Sequence, residues 1–135
     1  MTQCLNEQMN KDNTLTKPEV LRERTKQFAI SIIKLFRVLP RTEEARVIGR
    51  QVLRSGTSVA ANYRAACRAR SKAEFVAKLG IVVEEADETV FWLELLVDAQ
   101  VIRHAQIANV VTEANELLAI FAASQRTVRS SNSAK

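Results

Sequence analysis

Histidine occurs once in the 135 residues, glycine three times, and proline and cysteine twice each. So little glycine and proline excludes a turn-rich β-sandwich and a βαβ fold built on glycine phosphate loops. The two thiols, Cys4 in a polar N-terminal stretch and Cys67 within a helical pattern, make no disulfide framework and fit a reducing cytoplasm. The most apolar stretches, Ala29 to Ile33 and the run around Phe91-Trp92-Leu93, fall far short of the roughly 20 residues a membrane helix needs. No apolar core follows a basic start at the N-terminus, so it does not read as a secretory leader. What is present is 47% hydrophobic residues and a formal charge of +5. That length and balance suit one all-α domain with one core.

Residues 1–16 are polar and without apolar period, which predicts a mobile arm, and 126–135 read as a mobile tail. Residues 17–125 between them carry four segments with helical spacing. The first, about 18–39, opens with Thr16 and Glu19 in capping-box positions and Pro18 in the first turn. Its apolar stripe is Leu21, Phe28, Ile32, Leu35 and Leu39, with Thr25 filling the gap. The second, about 42–69, contains Ser55-Gly56-Thr57-Ser58, which resembles a loop. On a helical wheel, however, Ile48 and Val52 before it share an arc of about 200° to 300° with Val59, Tyr63, Ala66 and Cys67 after it. A loop has no reason to keep that phase, so one long helix is expected, with Gly56 the place where a bend would fall. The third, about 71–99, is capped by Ser71 with Glu74. The fourth, about 103–125, repeats the stripe through Ile107, Val111, Ala114, Leu118 and Phe121. Short connections imply an antiparallel up-down-up-down four-helix bundle.

Charge is polarised within the chain. Residues 41–72 hold eight basic and two acidic side chains, a net of +6, and 73–100 hold one basic and seven acidic, a net of −6. On the second segment Arg46, Arg50, Arg54, Arg64 and Arg68 fall within an arc of about 80°, and Arg70 and Lys72 extend the run. Such a stripe fits RNA or DNA phosphates, or it pairs with the acids of the third segment. Aromatic platforms for single strands are missing, since Tyr63 lies on the core side.

The third segment has two apolar faces. Phe75, Leu79, Val82, Ala86, Val90, Leu93 and Val97 form the core stripe. Ala73, Ala77, Ile81, Phe91, Trp92 and Leu95 form a second group that a monomer leaves in water, unless Trp92 tucks against a neighbouring helix. Self-association is expected through Ala77, Ile81, Phe91, Trp92 and Leu95. Catalytic, metal and cofactor constellations are not found. Carboxylate pairs such as Glu84/Glu88 lack a Glu-x-x-His partner, His104 stands alone, and Cys67 lies on an apolar face. A non-enzymatic protein follows.

The runs Arg54-Ser-Gly-Thr-Ser-Val-Ala-Ala-Asn-Tyr63-Arg64, Ala66-Cys-Arg68-Ala-Arg70-Ser71-Lys72-Ala-Glu74-Phe75 and Lys78-Leu-Gly-Ile-Val-Val-Glu84-Glu85-Ala-Asp87-Glu88 resemble the bacterial four-helix-bundle family encoded within 23S rRNA intervening sequences. The likeness covers about 21–123 and is most specific over 55–88. It implies a bundle that assembles into a homopentameric ring, with no assigned molecular function for most members. The accessory protein of diversity-generating retroelements is a relative, for which the resemblance implies binding to nucleic acid and to a reverse transcriptase. Members usually carry an acid after the Asn-Tyr-Arg match. Ala65 stands there in this chain and leaves the arginine stripe less neutralised.

Overall fold

The structure is a computed structural model that describes residues 17–133, so the expected arm 1–16 lies outside the described residues. Four helices follow in order: α1 (Pro18–Val38), α2 (Glu43–Cys67), α3 (Lys72–Asp98) and α4 (His104–Ser133). Among the described residues there is no strand.

Helices α2 and α3 begin at side chains that satisfy freed backbone donors, and α1 begins at a proline. Pro18 occupies the first turn of α1, where its missing N–H costs nothing. Lys17, rather than Thr16, is the N-cap, and its side chain makes no capping bond. Thr42 and Ser71 cap α2 and α3 by accepting from Ala45 N at 3.3 Å and Glu74 N at 3.1 Å. Glu43, Glu44 and Glu74 add negative charge at those positive helix ends. The stretch Ser55–Ser58 is helical throughout, so α2 is one continuous helix.

Contacts across the seams fix the register. Ile32 faces Gly56 and Leu39 faces Gly49 between α1 and α2, while Ser55 meets Thr89 between α2 and α3. Lys72 reaches Ser131 between α3 and α4, and Arg24 reaches Glu113 and Glu116 between α1 and α4. Between α1 and α2 one chain number rises as the other falls, and so it does between α3 and α4, where Gly80 lies beside Gln125, so both pairs run antiparallel. The short turn between α2 and α3 reverses the chain once more, and α4 closes back on α1. Tyr63 and Phe121 meet in the middle, ring centroids 5.0 Å apart, both fully buried.

The α1 stripe is buried from Leu21 through Thr25, Phe28 and Ile32 to Leu35. Thr25 is tolerated there because its hydroxyl donates to the Leu21 and Arg22 carbonyls. On α2 the buried arc includes small residues, Ala45, Gly49, Ser55 and Gly56, while Ile48 and Cys67 are only half-buried. On α3 Leu96 is fully buried where Val97 was expected, and on α4 Leu117 takes the place of Leu118. The expected tail from 126 is instead helix as far as Ser133. Val128, 2% exposed, continues the α4 spacing 114, 117, 121, 124, 128 and packs into the core, because α3 is long enough to support those last turns.

Helix α3 ends in a Schellman motif. Gln100 N donates to Val97 O at 3.0 Å and Val101 N to Leu96 O at 2.9 Å, with Gln100 in the left-handed region at φ 62°. Glycine normally takes that position because a Cβ there costs about 1–2 kcal/mol. Gln100→Gly relieves this strain and loses part of the gain to glycine's greater unfolded freedom. Its unfolding midpoint in denaturant should rise by the equivalent of about 0.5–1 kcal/mol. A lower midpoint would mean that the Gln100 side chain contributes more than its backbone strain costs.

Candidate functional site

The arginine stripe of α2 lies on the surface. Arg46, Arg50, Arg54, Arg64 and Arg68 are all exposed, as is Arg70 in the turn to α3. One of them is taken up internally: Arg54 donates to Glu85 at 3.0 Å and to Glu88, both on α3. Glu88 also accepts from the Trp92 indole N–H at 2.9 Å. That indole bond first, and Arg54 second, hold the Glu88 carboxyl below the usual glutamate range. Its contribution to the fold is therefore present above the ordinary glutamate range and lost as pH falls through the lowered value. The pairing of stripe and acids thus holds for Arg54. Arg46, Arg50, Arg64, Arg68 and Arg70 make no ion pair among the described residues.

Helix α1 brings cations that a wheel of α2 alone does not reveal. Arg22 and Lys26 line one groove with Arg64 and Arg68, tempered by Glu19 and Glu23. Arg37 and Arg41 line a second hollow with Arg46 and Arg50, at the turn between α1 and α2. The cationic surface is therefore a two-helix face. It spans about 33 Å from Arg46 to Arg68 at 1.5 Å per residue. The signal was present in the sequence: Arg22, Lys26 and Arg37 fall within about 60° of one another on a helical wheel. Lys72 does not join this face. It opens α3 and its ammonium points to Ser131 on α4, 3.5 Å away.

The second apolar face of α3 is partly open. Phe91 is 54% exposed and Ile81 38%, with Ala77 exposed one turn before Ile81 and Leu95 half-buried one turn after Phe91. Trp92 is held more firmly than the others. It packs against the core, its nitrogen is fixed by Glu88, and its ring meets Phe91 edge-on at 5.0 Å. It therefore supports Phe91 from beneath. No helix among the described residues is long and apolar enough to cross a membrane. His104 is an exposed residue at the start of α4, and the described residues hold no group of three metal-ligating side chains.

The comparisons with known proteins agree on the fold. A protein of unknown function from the S23 ribosomal protein family of Bacteroides thetaiotaomicron is 34% identical, and its crystal structure matches with a TM-score of 0.74. The match covers 81% of this chain and 97% of that one. No curated protein matches the chain. The family described as 23S rRNA-intervening sequence protein matches residues 19–123, from the first turn of α1 well into α4. On the length of that match, supported by a solved relative of the same four-helix form, the chain belongs to the 23S rRNA-intervening sequence protein family.

Proposed function

We propose that the protein is a non-enzymatic, self-associating scaffold of the cytoplasm whose copies meet through the outer face of α3. The exposure of Phe91 and Ile81 on α3 carries this reading. Isolated exposed aliphatics are ordinary, but an exposed aromatic held edge-on by Trp92, on a helix side that also exposes Ile81, suits an association surface. The homopentameric ring implied by the sequence resemblance is the assembly proposed for that surface.

A second reading concerns an anionic partner, RNA or DNA, on the α1–α2 face. The exposed Arg46, Arg50, Arg64 and Arg68, without carboxylate partners, favour it. Repetition of that face around a ring concentrates guanidinium groups and attracts polyanions without reading bases. A protein partner such as a reverse transcriptase belongs to this branch.

Sedimentation equilibrium should find about five chains per particle. Phe91→Asp or Ile81→Asp should dissociate the assembly while leaving helical circular dichroism intact, since interface hot spots often cost 2 kcal/mol or more. A wild-type monomer at micromolar concentration contradicts the scaffold reading.

Fluorescence anisotropy with a labelled oligonucleotide should show affinity falling steeply with salt. Charge reversal at Arg50 and Arg68 should weaken all sequences alike, because phosphate contacts carry no base information. Arg54→Gln should matter far less, its guanidinium being held by Glu85 and Glu88. Absence of binding at low salt ends this second reading.

A further inference from the structure

The two cationic hollows on the α1–α2 face differ in kind. In the groove near the start of α1, Glu19 and Glu23 sit among the basic residues and offset part of their charge. The hollow at the α1–α2 turn, about 490 Å³, is lined by Arg37, Arg41, Arg46 and Arg50 and by no carboxylate. None of those four arginines makes an ion pair among the described residues. The rest of its lining is apolar: Phe36, Leu39, Pro40 and Ala45. Glu43 and Glu44 lie close in sequence but take no part in the lining.

Four guanidinium groups around one hollow repel one another, and nothing described within it relieves that repulsion. A ligand with several negative charges in a small volume does so. Guanidinium forks pair bidentately with phosphate oxygens, and arginine also stacks on flat rings. The volume falls within the usual range for a small-molecule site, roughly 300–1,000 Å³, which accommodates a nucleotide but not a duplex. A bare anion makes no use of the phenylalanine, leucine and proline. A phosphate carried on a flat ring system does.

We infer that the hollow at the α1–α2 turn binds the phosphate end of a nucleotide, with the phosphates on Arg37, Arg41, Arg46 and Arg50 and the base or sugar against Phe36, Leu39 and Pro40. This goes beyond the polyanion reading, which requires only a row of charges. The same chemistry has two sources, a free nucleoside polyphosphate or the 5′-phosphorylated end of a strand. The site recognises what they share.

Calorimetric titration of the full chain tests this with four probes: ATP without magnesium, inorganic tripolyphosphate, and one short oligonucleotide with and without a 5′-phosphate. Two double variants of exposed arginines accompany the wild type, Arg41→Gln/Arg46→Gln in the hollow and Arg64→Gln/Arg68→Gln in the groove. Thermal melts confirm that both stay folded. The hollow variant should lose at least tenfold in affinity for ATP or for the 5′-phosphorylated strand, and the groove variant less than threefold. Tight ATP binding identifies a free nucleotide as the source; a tenfold preference for the 5′-phosphate over the 5′-hydroxyl strand identifies a strand end. Equal loss in both variants, equal affinity for ATP and tripolyphosphate, or no binding of either nucleotide probe to the wild type overturns the inference. Salt-dependent binding of the 5′-hydroxyl strand that survives in the hollow variant leaves the polyanion reading standing, so the two fail separately.

Discussion

The close approach of α1 to α2 at Gly56 is the constraint on which the rest of the molecule depends. A Cβ placed on Gly56 would lie 2.8 Å from Ile32 Cγ1 and 3.1 Å from Cγ2, and Ile32 is completely buried. A β-branched stem held in a packed core has little freedom to withdraw. Ile32 is therefore seated against the bare backbone of α2. Helical glycine costs about 1 kcal/mol relative to alanine, a loss that this packing offsets. Gly49 makes a similar approach two helical turns away, but there the nearest atom is the terminal Cδ1 of Leu39, 2.8 Å away, which can rotate, with the edge of the half-buried Phe36 ring at 3.3 Å.

The surface chemistry follows from that seam. Because α1 lies so near α2, Arg22 and Lys26 reach the groove of Arg64 and Arg68, and Arg37 reaches the hollow of Arg46 and Arg50. The opposite flank of α2 is tied to α3 differently, by a buried hydrogen bond from the Thr89 hydroxyl to Ser55 Oγ at 2.8 Å and by Arg54 with Glu85 and Glu88 at the surface. Those acids occupy the one stripe arginine on their side. They are also part of the network that fixes Trp92 beneath the exposed Phe91. Helix α2 thus separates a cationic face, shared with α1, from the outer side of α3 that exposes Phe91 and Ile81.

Much of this is legible in the chain, and the exceptions have physical causes. The α1 stripe from Leu21 to Leu35 and the continuity of α2 through Ser55–Ser58 follow from periodicity, because only a helix keeps that phase. Periodicity does not tell which of two adjacent residues meets the core, and Leu96 and Leu117 are buried one position away from the expected Val97 and Leu118. Small buried residues such as Ala45 and Gly49 carry little apolar weight of their own, and their burial reflects what α1 places opposite them. The C-terminal extension of α4 reads as polar, with Val128 alone to anchor it, so its helix depends on a partner surface on α3. The arginines of α1 join the site only through the pairing of two helices, which a wheel of α2 alone does not represent.

Alanine substitution at the two glycines tests the seam most directly, by comparing denaturant unfolding of Gly56→Ala and Gly49→Ala at one protein concentration. Gly49→Ala should be neutral or stabilising by up to about 1 kcal/mol, since alanine favours helix and the end of Leu39 can move aside. Gly56→Ala should be destabilising despite the same propensity gain, because overpacking against a fixed Ile32 costs about 1–3 kcal/mol. Trimming the opposing side chain with Ile32→Val should recover part of that loss in the double variant. A Gly56→Ala protein as stable as the wild type would contradict the account.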